Sequence, residues 1–299
     1  MEKVKFNANI EKTYREKLIE ELKKDQDICQ LLKDNNWSKE VIEQNVISFS
    51  DWLSQNKQCA NCQGLYMCCK QIKGYKMYLD GNFNEILIPC NYKTQDEQLY
   101  AHQKNYLICD LSRQSLLNDL DNISLADEDE YYCQIVDICK DWLEHQPLKG
   151  MYLQGKLGVG KTYLASCISN GLTKKGYKAA FVNVPRLCVD LKSNMTEKDY
   201  IDDKLRKMRN AYILVLDDIG AENLTAWFRD EILFTILDYR MENKKRTIFT
   251  SNCDLDSLKN RLSKVGYGTD DEVKGARIIE RIKVLSKVIP LVGQTRRSI

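Results

Sequence analysis

An α/β fold built on a parallel sheet, preceded by a small helical domain, is what this chain predicts, and three observations carry the prediction. The octet Gly155-Lys-Leu-Gly-Val-Gly-Lys161-Thr162 follows the apolar run Met151-Tyr-Leu and opens the helical stretch Tyr163-Leu-Ala-Ser-Cys-Ile. This is a phosphate-binding loop in its strand–loop–helix setting. The run Tyr212-Ile-Leu-Val-Leu-Asp217-Asp218-Ile-Gly220 reads as a buried strand delivering two carboxylates to its C-terminal edge. From about Leu111 onward, strand-like and helix-like segments alternate, which implies a parallel sheet with helices on both faces.

The elements follow in order. Residues 1–50 read as helical, with Ile10, Tyr14, Leu18, Ile19 and Leu22 on one face, and a further helix runs from Val41 to Leu53 with Ser38 as its candidate cap. Gly74-Tyr-Lys-Met-Tyr-Leu and Glu85-Ile-Leu-Ile-Pro-Cys90 flank an Asp80-Gly81 turn and read as a hairpin. The polar stretch after it is read as a linker, giving an N-terminal domain at 1–95, a linker at 96–124 and an ATPase domain at 125–299. Within that last domain the pattern predicts helices over Glu130–His145, Pro185–Met195, Asp199–Met208, Trp227–Arg240 and Ala276–Lys283. Strands are predicted over Lys178–Val184, Thr247–Asn252 and Ser286–Val292.

At 299 residues the chain has room for two domains, and a net charge of +2 excludes a global basic field, so any DNA contact is a local groove. No apolar run approaches the roughly 20 residues of a membrane span, and the start lacks the apolar core of a signal peptide. A cytoplasmic protein is expected, and in that compartment 12 cysteines read as metal ligands plus scattered thiols.

Cys59-Ala-Asn-Cys62, Cys68-Cys69 and Cys90 have the spacing of a structural zinc site. Cys59, Cys62, Cys68 and Cys90 form the expected ligand set, with Cys69 as the competitor of Cys68. A closed four-ligand site would add about 10–16 kcal/mol of apparent folding free energy, which a polar N-terminal region with few large apolar residues would need. A redox pair or incidental thiols are the other readings. His102 and His145 lie away from the cluster and read as surface positions.

In the octet, Gly155, Gly158, Val159 and Gly160 curl the backbone so that N–H groups converge on one anion, and Tyr163 continues into the helix. Lys161 supplies a charge for the phosphates of ATP, while Thr162 and Asp217 are the oxygen donors for Mg²⁺. Asp218 stands where many such ATPases carry a glutamate that orients water. The shorter side chain predicts slow turnover, and a purely structural carboxylate is the alternative. Asn252 reads as a γ-phosphate sensor or a helix cap. Arg277 and Arg281 share a helix face. Arg281 is either an ordinary ion-pair residue or an arginine finger toward a neighbouring subunit, a contact worth roughly 10³–10⁵ in rate.

Together, Gly-Lys-Leu-Gly-Val-Gly-Lys-Thr-Tyr-Leu, Leu-Asp-Asp-Ile-Gly-Ala-Glu222, Thr-Ser-Asn252 and Arg277-Ile-Ile-Glu-Arg281-Ile resemble the AAA+ ATPases that load the bacterial replicative helicase, the DnaI/DnaC type. The likeness covers roughly residues 110–299, and a zinc domain ahead of it is similar to the DnaI type in particular. It implies an AAA+ P-loop NTPase sheet without a lid domain, so that Arg296 or Arg297 is left to stand in for a lid-borne sensor arginine. It also implies a hexameric replicative helicase gripped by the N-terminal domain, self-assembly on that helicase, single-stranded DNA and other primosome proteins as partners, and no membrane. By the same resemblance Lys192, Thr225 and Trp227 fall where the family contacts DNA, with Trp227 equally readable as core. The face around Leu18 and Leu22 is the expected grip. One departure is that zinc sites of this type use three cysteines and a histidine, and no histidine lies between Cys68 and Cys90. A transposase-helper ATPase of the IstB type and a non-hydrolysing adaptor are the competing readings, the zinc module speaking against the former.

Overall fold

Asp25 accepts hydrogen bonds from the N–H groups of Asp27 and Ile28 at 2.9 and 3.4 Å, and so starts a second helix where the sequence suggests one long stretch. The computed structural model describes residues 8–126, 128–221, 224–265 and 271–296, and the chain divides into two units, Met1–Gln98 and Leu99–Ile299. Ile10's side chain and Arg297 lie outside the described residues.

The first unit holds α1 (Ala8–Lys24), α2 (Gln26–Asp34), α3 (Val41–Gln44) and α4 (Val46–Cys59). The helix expected over Val41–Leu53 is broken at Asn45, whose amide donates to the Val41 carbonyl at 3.0 Å. Strands β1 (Tyr75–Leu79) and β2 (Glu85–Pro89) form the expected antiparallel hairpin. Its turn is tied by the Asp80 carboxylate to the N–H groups of Asn82 and Asn84 at 2.8 and 2.9 Å. Helix α5 (Asn91–Leu99) follows.

Leu22, Ile28, Leu32, Ile42, Phe49 and Leu79 are buried together, with Leu18 and Ile19 partly buried against them. Two expectations are thereby corrected. The Leu18–Leu22 face is spent on the unit's own core, while Tyr14 stays 70% exposed. The region also has large apolar groups of its own, with Trp37, Phe49 and Phe83 packed at centroid distances of 4.8 to 6.3 Å.

In the second unit come β3 (Tyr106–Cys109), α6 (Glu130–His145), β4 (Gly150–Gly155), α7 (Lys161–Lys174), β5 (Ala179–Asn183), α8 (Val184–Ser193), α9 (Lys198–Asn210) and β6 (Ile213–Asp217). A π-helical turn (Phe228–Leu233) runs into α10 (Phe234–Glu242), followed by β7 (Arg246–Ser251), α11 (Leu255–Ser263), α12 (Glu272–Leu285) and β8 (Ser286–Leu291). The strands pair in the order β3-β5-β6-β7-β4-β8, every pair parallel. Strand β6 shows why the sheet is covered on both faces. Ile213 and Val215 enter one apolar cluster with α6 and α7, whereas Leu214 and Leu216 enter the other with α8, α10 and α12. No helix among the described residues is long and apolar enough to cross a membrane.

The predicted linker is corrected in the same unit, because residues 106–109 within it are an edge strand of the sheet. Their polar neighbours face α7. Asn105 Nδ2 donates to Thr173 O at 2.9 Å, the Tyr106 hydroxyl contacts Ser169 and Asn170, and Asn118 Nδ2 donates to the Ser166 hydroxyl at 2.8 Å. His102, read as a surface residue, is 7% exposed, and its Nε2 has no partner among the described residues.

Candidate active site

The parallel sheet brings the C-terminal ends of β4, β5, β6 and β7 to one edge, where open α/β sheets place their ligands. Between β4 and α7 the loop turns through Gly158 at φ 82 and Gly160 at φ 99, values that side chains resist. At Gly155 an added Cβ would lie 2.2 Å from the Leu291 carbonyl oxygen, so β8 needs that glycine. Val159 is buried, and Tyr163 sits half-exposed on the first turn of α7.

Lys161 is 6% exposed, and its ammonium donates to Gly155 O, Lys156 O and Asn252 Oδ1 at 2.8, 2.7 and 2.8 Å. The structure therefore brings the loop lysine onto the side chain that follows β7. Asn252 Nδ2 in turn donates to Asp218 Oδ1 at 3.3 Å.

Asp217 is buried at the end of β6 and satisfied on both oxygens. Oδ1 accepts from the hydroxyls of Thr162 and Thr250, each at 2.8 Å, and Oδ2 accepts from Asn183 Nδ2 at 3.3 Å. A hydroxyl beside a carboxylate at the mouth of the loop is the hard-oxygen donor set that Mg²⁺ takes, so these residues fit the ion. Asp218 follows in the left-handed region at φ 63, its N–H held by the Thr250 hydroxyl at 2.8 Å. Leu157, Gly158, Gly160, Lys161, Asp218 and Asn252 line a cavity of about 170 Å³.

Thr250 and Asn183, which the sequence reading missed, are the further residues that hydrogen-bond Asp217. Asn183 is in register with Asp217 across β5 and β6, so the rule that ligands gather at strand ends would have found it. Thr250 needed only the period of two from Asn252.

Other candidates are spent locally. Arg281 Nε donates to Asp238 Oδ1 at 2.7 Å, Nη1 donates to Arg277 O at 3.0 Å, and the guanidinium lies 4.2 Å over the Phe234 ring. Within one subunit it is the ion-pair residue. Thr225 accepts from Phe228 N–H at 3.3 Å where the π-helical turn begins, and Trp227 packs partly buried against the core. Lys192 is half-buried near the end of α8.

The zinc expectation is not met by geometry. Among the described residues no three His, Cys, Asp or Glu side chains converge on a point that could hold a metal. Cys62 and Cys69 instead direct their thiols to the carbonyls of Gly64 and Gln58 at 3.5 and 3.8 Å. The thiols are nonetheless neighbours: Cys59 is pushed up by burial and by the nearby Cys62, Cys68 and Cys69, against the pull of Lys70. Cys68 is drawn down by N–H groups of Gly74 and Lys70.

Residues 85–298 match the family described as IstB-like ATP binding protein, and residues 1–89 match that described as primosomal protein DnaI N-terminus. The replicative helicase loader DnaI of Bacillus subtilis (strain 168) is 33% identical over 292 residues, covering 94% of this chain and 93% of that protein. A crystal structure of DnaI superposes with a TM-score of 0.55 and 32% identity, over 66% of this chain and 99% of that one. The chromosomal replication initiator DnaA of onion yellows phytoplasma (strain OY-M) is 28% identical over 46% of this chain and 28% of its own length. With both units matched and the loop, carboxylates and asparagine gathered at one sheet edge, the chain belongs to the family of DnaI-type replicative helicase loaders within the IstB-like ATP-binding proteins.

Proposed function

We propose that this chain is an ATP-dependent loader of the hexameric replicative DNA helicase onto single-stranded DNA during initiation of replication, acting in the cytoplasm. The observation that carries the reading is that likeness to the B. subtilis loader runs through both units, the first of which has its own family match. A transposition helper of the IstB type would share the second unit only.

The chain's own residues supply the chemistry. Loop N–H groups and Lys161 would hold the phosphates, and Thr162 and Asp217 would hold Mg²⁺, which would neutralise charge on the transferred phosphoryl group. Asp218, aimed by Asn252, orients the attacking water, and its short reach makes turnover slow. Arg281 becomes a finger only when a neighbouring nucleotide outcompetes Asp238, which ties hydrolysis to assembly on the helicase. Lys192, Thr225 and Trp227 border the single-stranded DNA, where a cation and an aromatic suit sequence-neutral binding. Structural zinc on Cys59, Cys62, Cys68 and Cys90 belongs to the same proposal and requires these thiols to draw together, since they do not converge in the structure. Support comes from the nearness of Cys62 and Cys68 to Cys59, whose thiol they help push up, and from Gly74, whose N–H meets Cys68 Sγ at 3.5 Å and whose carbonyl takes Cys90 N–H at 2.8 Å. Metal analysis of the purified chain is its check, and absence of zinc would remove it.

Size-exclusion chromatography with light scattering, using the chain and the replicative helicase of its own cell with and without ATP, tests the function. A stoichiometric large complex is expected. No complex in any nucleotide state would move the reading to the transposition-type ATPase.

A further inference from the structure

After β8 the chain returns to the phosphate-binding loop. Gly293 turns at φ 127, and the N–H of Arg296 donates to the Gly158 carbonyl at 2.8 Å. The Arg296 guanidinium forks onto Glu128, with Nε to Oε1 at 2.7 Å and Nη2 to Oε2 at 2.6 Å. It lies 3.7 Å over the Tyr132 ring and gives Nη1 to the Val159 carbonyl at 3.1 Å. The approach is close enough that a Cβ on Gly158 would meet Thr295 Oγ1 at 2.2 Å. Arg296 also lines the cavity shared by Lys161, Thr162, Asp218 and Asn252.

A loop that cradles an anion must turn its N–H groups inward, so its carbonyls must face away and find donors elsewhere. Two sets of donors do this here. Lys161 takes the carbonyls of Gly155 and Lys156, while the Arg296 guanidinium takes that of Val159 and the Arg296 backbone N–H that of Gly158. A bidentate guanidinium–carboxylate pair is rigid, and the Tyr132 ring fixes its plane. The arginine is thus anchored on the segment entering α6 and holds the middle of the loop from outside.

We propose that Arg296, anchored by Glu128, is a positioning residue for the nucleotide: its guanidinium holds the Val159 peptide, and its anchoring keeps the backbone N–H on the Gly158 carbonyl, so that the loop N–H groups face the phosphates. The inference rests on the nucleotide-binding reading above. Because Arg296 acts through the loop and not on the reacting atoms, its loss weakens nucleotide binding more than it slows the bound-state step.

The test is titration of the full-length chain with a fluorescent ADP analogue, with thermal unfolding and ATP turnover measured in parallel. Arg296→Ala and Glu128→Gln are each expected to raise Kd about tenfold or more and to raise KM with it, while kcat changes far less. Arg296→Lys, which keeps the charge but not the fork, is expected to fall between Arg296→Ala and wild type. Unchanged Kd in both Arg296→Ala and Glu128→Gln overturns the proposal, as does a lowered melting temperature with Kd unmoved. Lys161→Ala separates the two readings. If it abolishes binding while Arg296→Ala does not weaken it, only the positioning role fails, and if it binds normally the nucleotide reading fails with it.

Discussion

Asp218, proposed above to orient the attacking water, is the residue at which backbone and chemistry would be coupled. Its φ of 63 is tolerated by Asp and Asn, whose short polar side chains adopt the left-handed region, and costs most other residues about 1 kcal/mol or more. Asp218→Asn is therefore expected to keep thermal stability within about 0.5 kcal/mol while turnover falls roughly tenfold or more. Asp218→Ala should lose both. Melting curves and steady-state ATP hydrolysis on the two variants decide it, and wild-type turnover in Asp218→Asn would reduce Asp218 to a turn residue. Lys161 makes a simpler prediction. Its three acceptors lie on the loop and on Asn252; on the proposed reading Lys161→Ala removes the charge offered to the phosphates, and nucleotide affinity should drop about 100-fold or more by calorimetry. His102 adds a pH dependence. Burial first, then Lys174, lowers its pKa below the usual 6.5, so the unfolded chain binds the extra proton below that pH and the folded one resists it. Stability should be complete above pH 6.5 and decline as acid is added, and His102→Gln should flatten that decline in melting temperatures between about pH 7.5 and 5.

At the scale of elements, α11 and α12 pack through a glycine. A Cβ on Gly275 would lie 2.4 Å from Ser263 Oγ and 3.1 Å from both Lys259 O and Ser263 N. Alanine gains about 1 kcal/mol of helix propensity, but two of those three contacts are backbone and cannot swing aside. Gly275→Ala is expected to cost about 1 kcal/mol net, read as a melting temperature lower by roughly 2–4 °C. A stabilised variant would mean that the two helices separate easily. The neighbourhood also shows what sequence could and could not reveal. The β4–α7 loop and β6 were legible because a glycine pattern and a five-residue apolar run each have one structural use. Helix α11 was given no bounds: it is short and charged, and the cap suspected at Asn252 is supplied by Asp254, which accepts from Ser257 N–H at 2.7 Å. Strand β3 was hidden because Asn105, Tyr106 and Asn118 look like linker residues until α7 offers them buried polar partners. Strand order was not legible either, since β4 lies between β7 and β8 through crossovers that leave no local mark.

For the whole molecule, the position of the division between units is itself testable. The first unit has a core centred on Leu22, Ile28, Ile42 and Phe49, and the second has two apolar layers about its sheet, so each buries enough to stand alone. Residues 99–299 retain β3 and the polar groups that satisfy α7. They should fold, bind nucleotide with Kd within about twofold of the full chain, and fail to co-elute with the replicative helicase. Residues 125–299, the domain that composition alone suggests, should do worse. Cutting there removes the partners of Ser166, Ser169, Asn170 and Thr173 on the helix that carries Lys161 and Thr162, and leaves buried polar groups unsatisfied. The melting temperature of that fragment is expected to fall by about 10 °C or more, with nucleotide affinity falling alongside it. Co-elution of residues 99–299 with the helicase would place the grip in the ATPase unit and overturn the division of labour proposed here. Equal stability of the two fragments would show that residues 101–122 are a passive strap. Loss of helicase binding with nucleotide binding intact would show that the first unit holds the partner while the second binds the nucleotide.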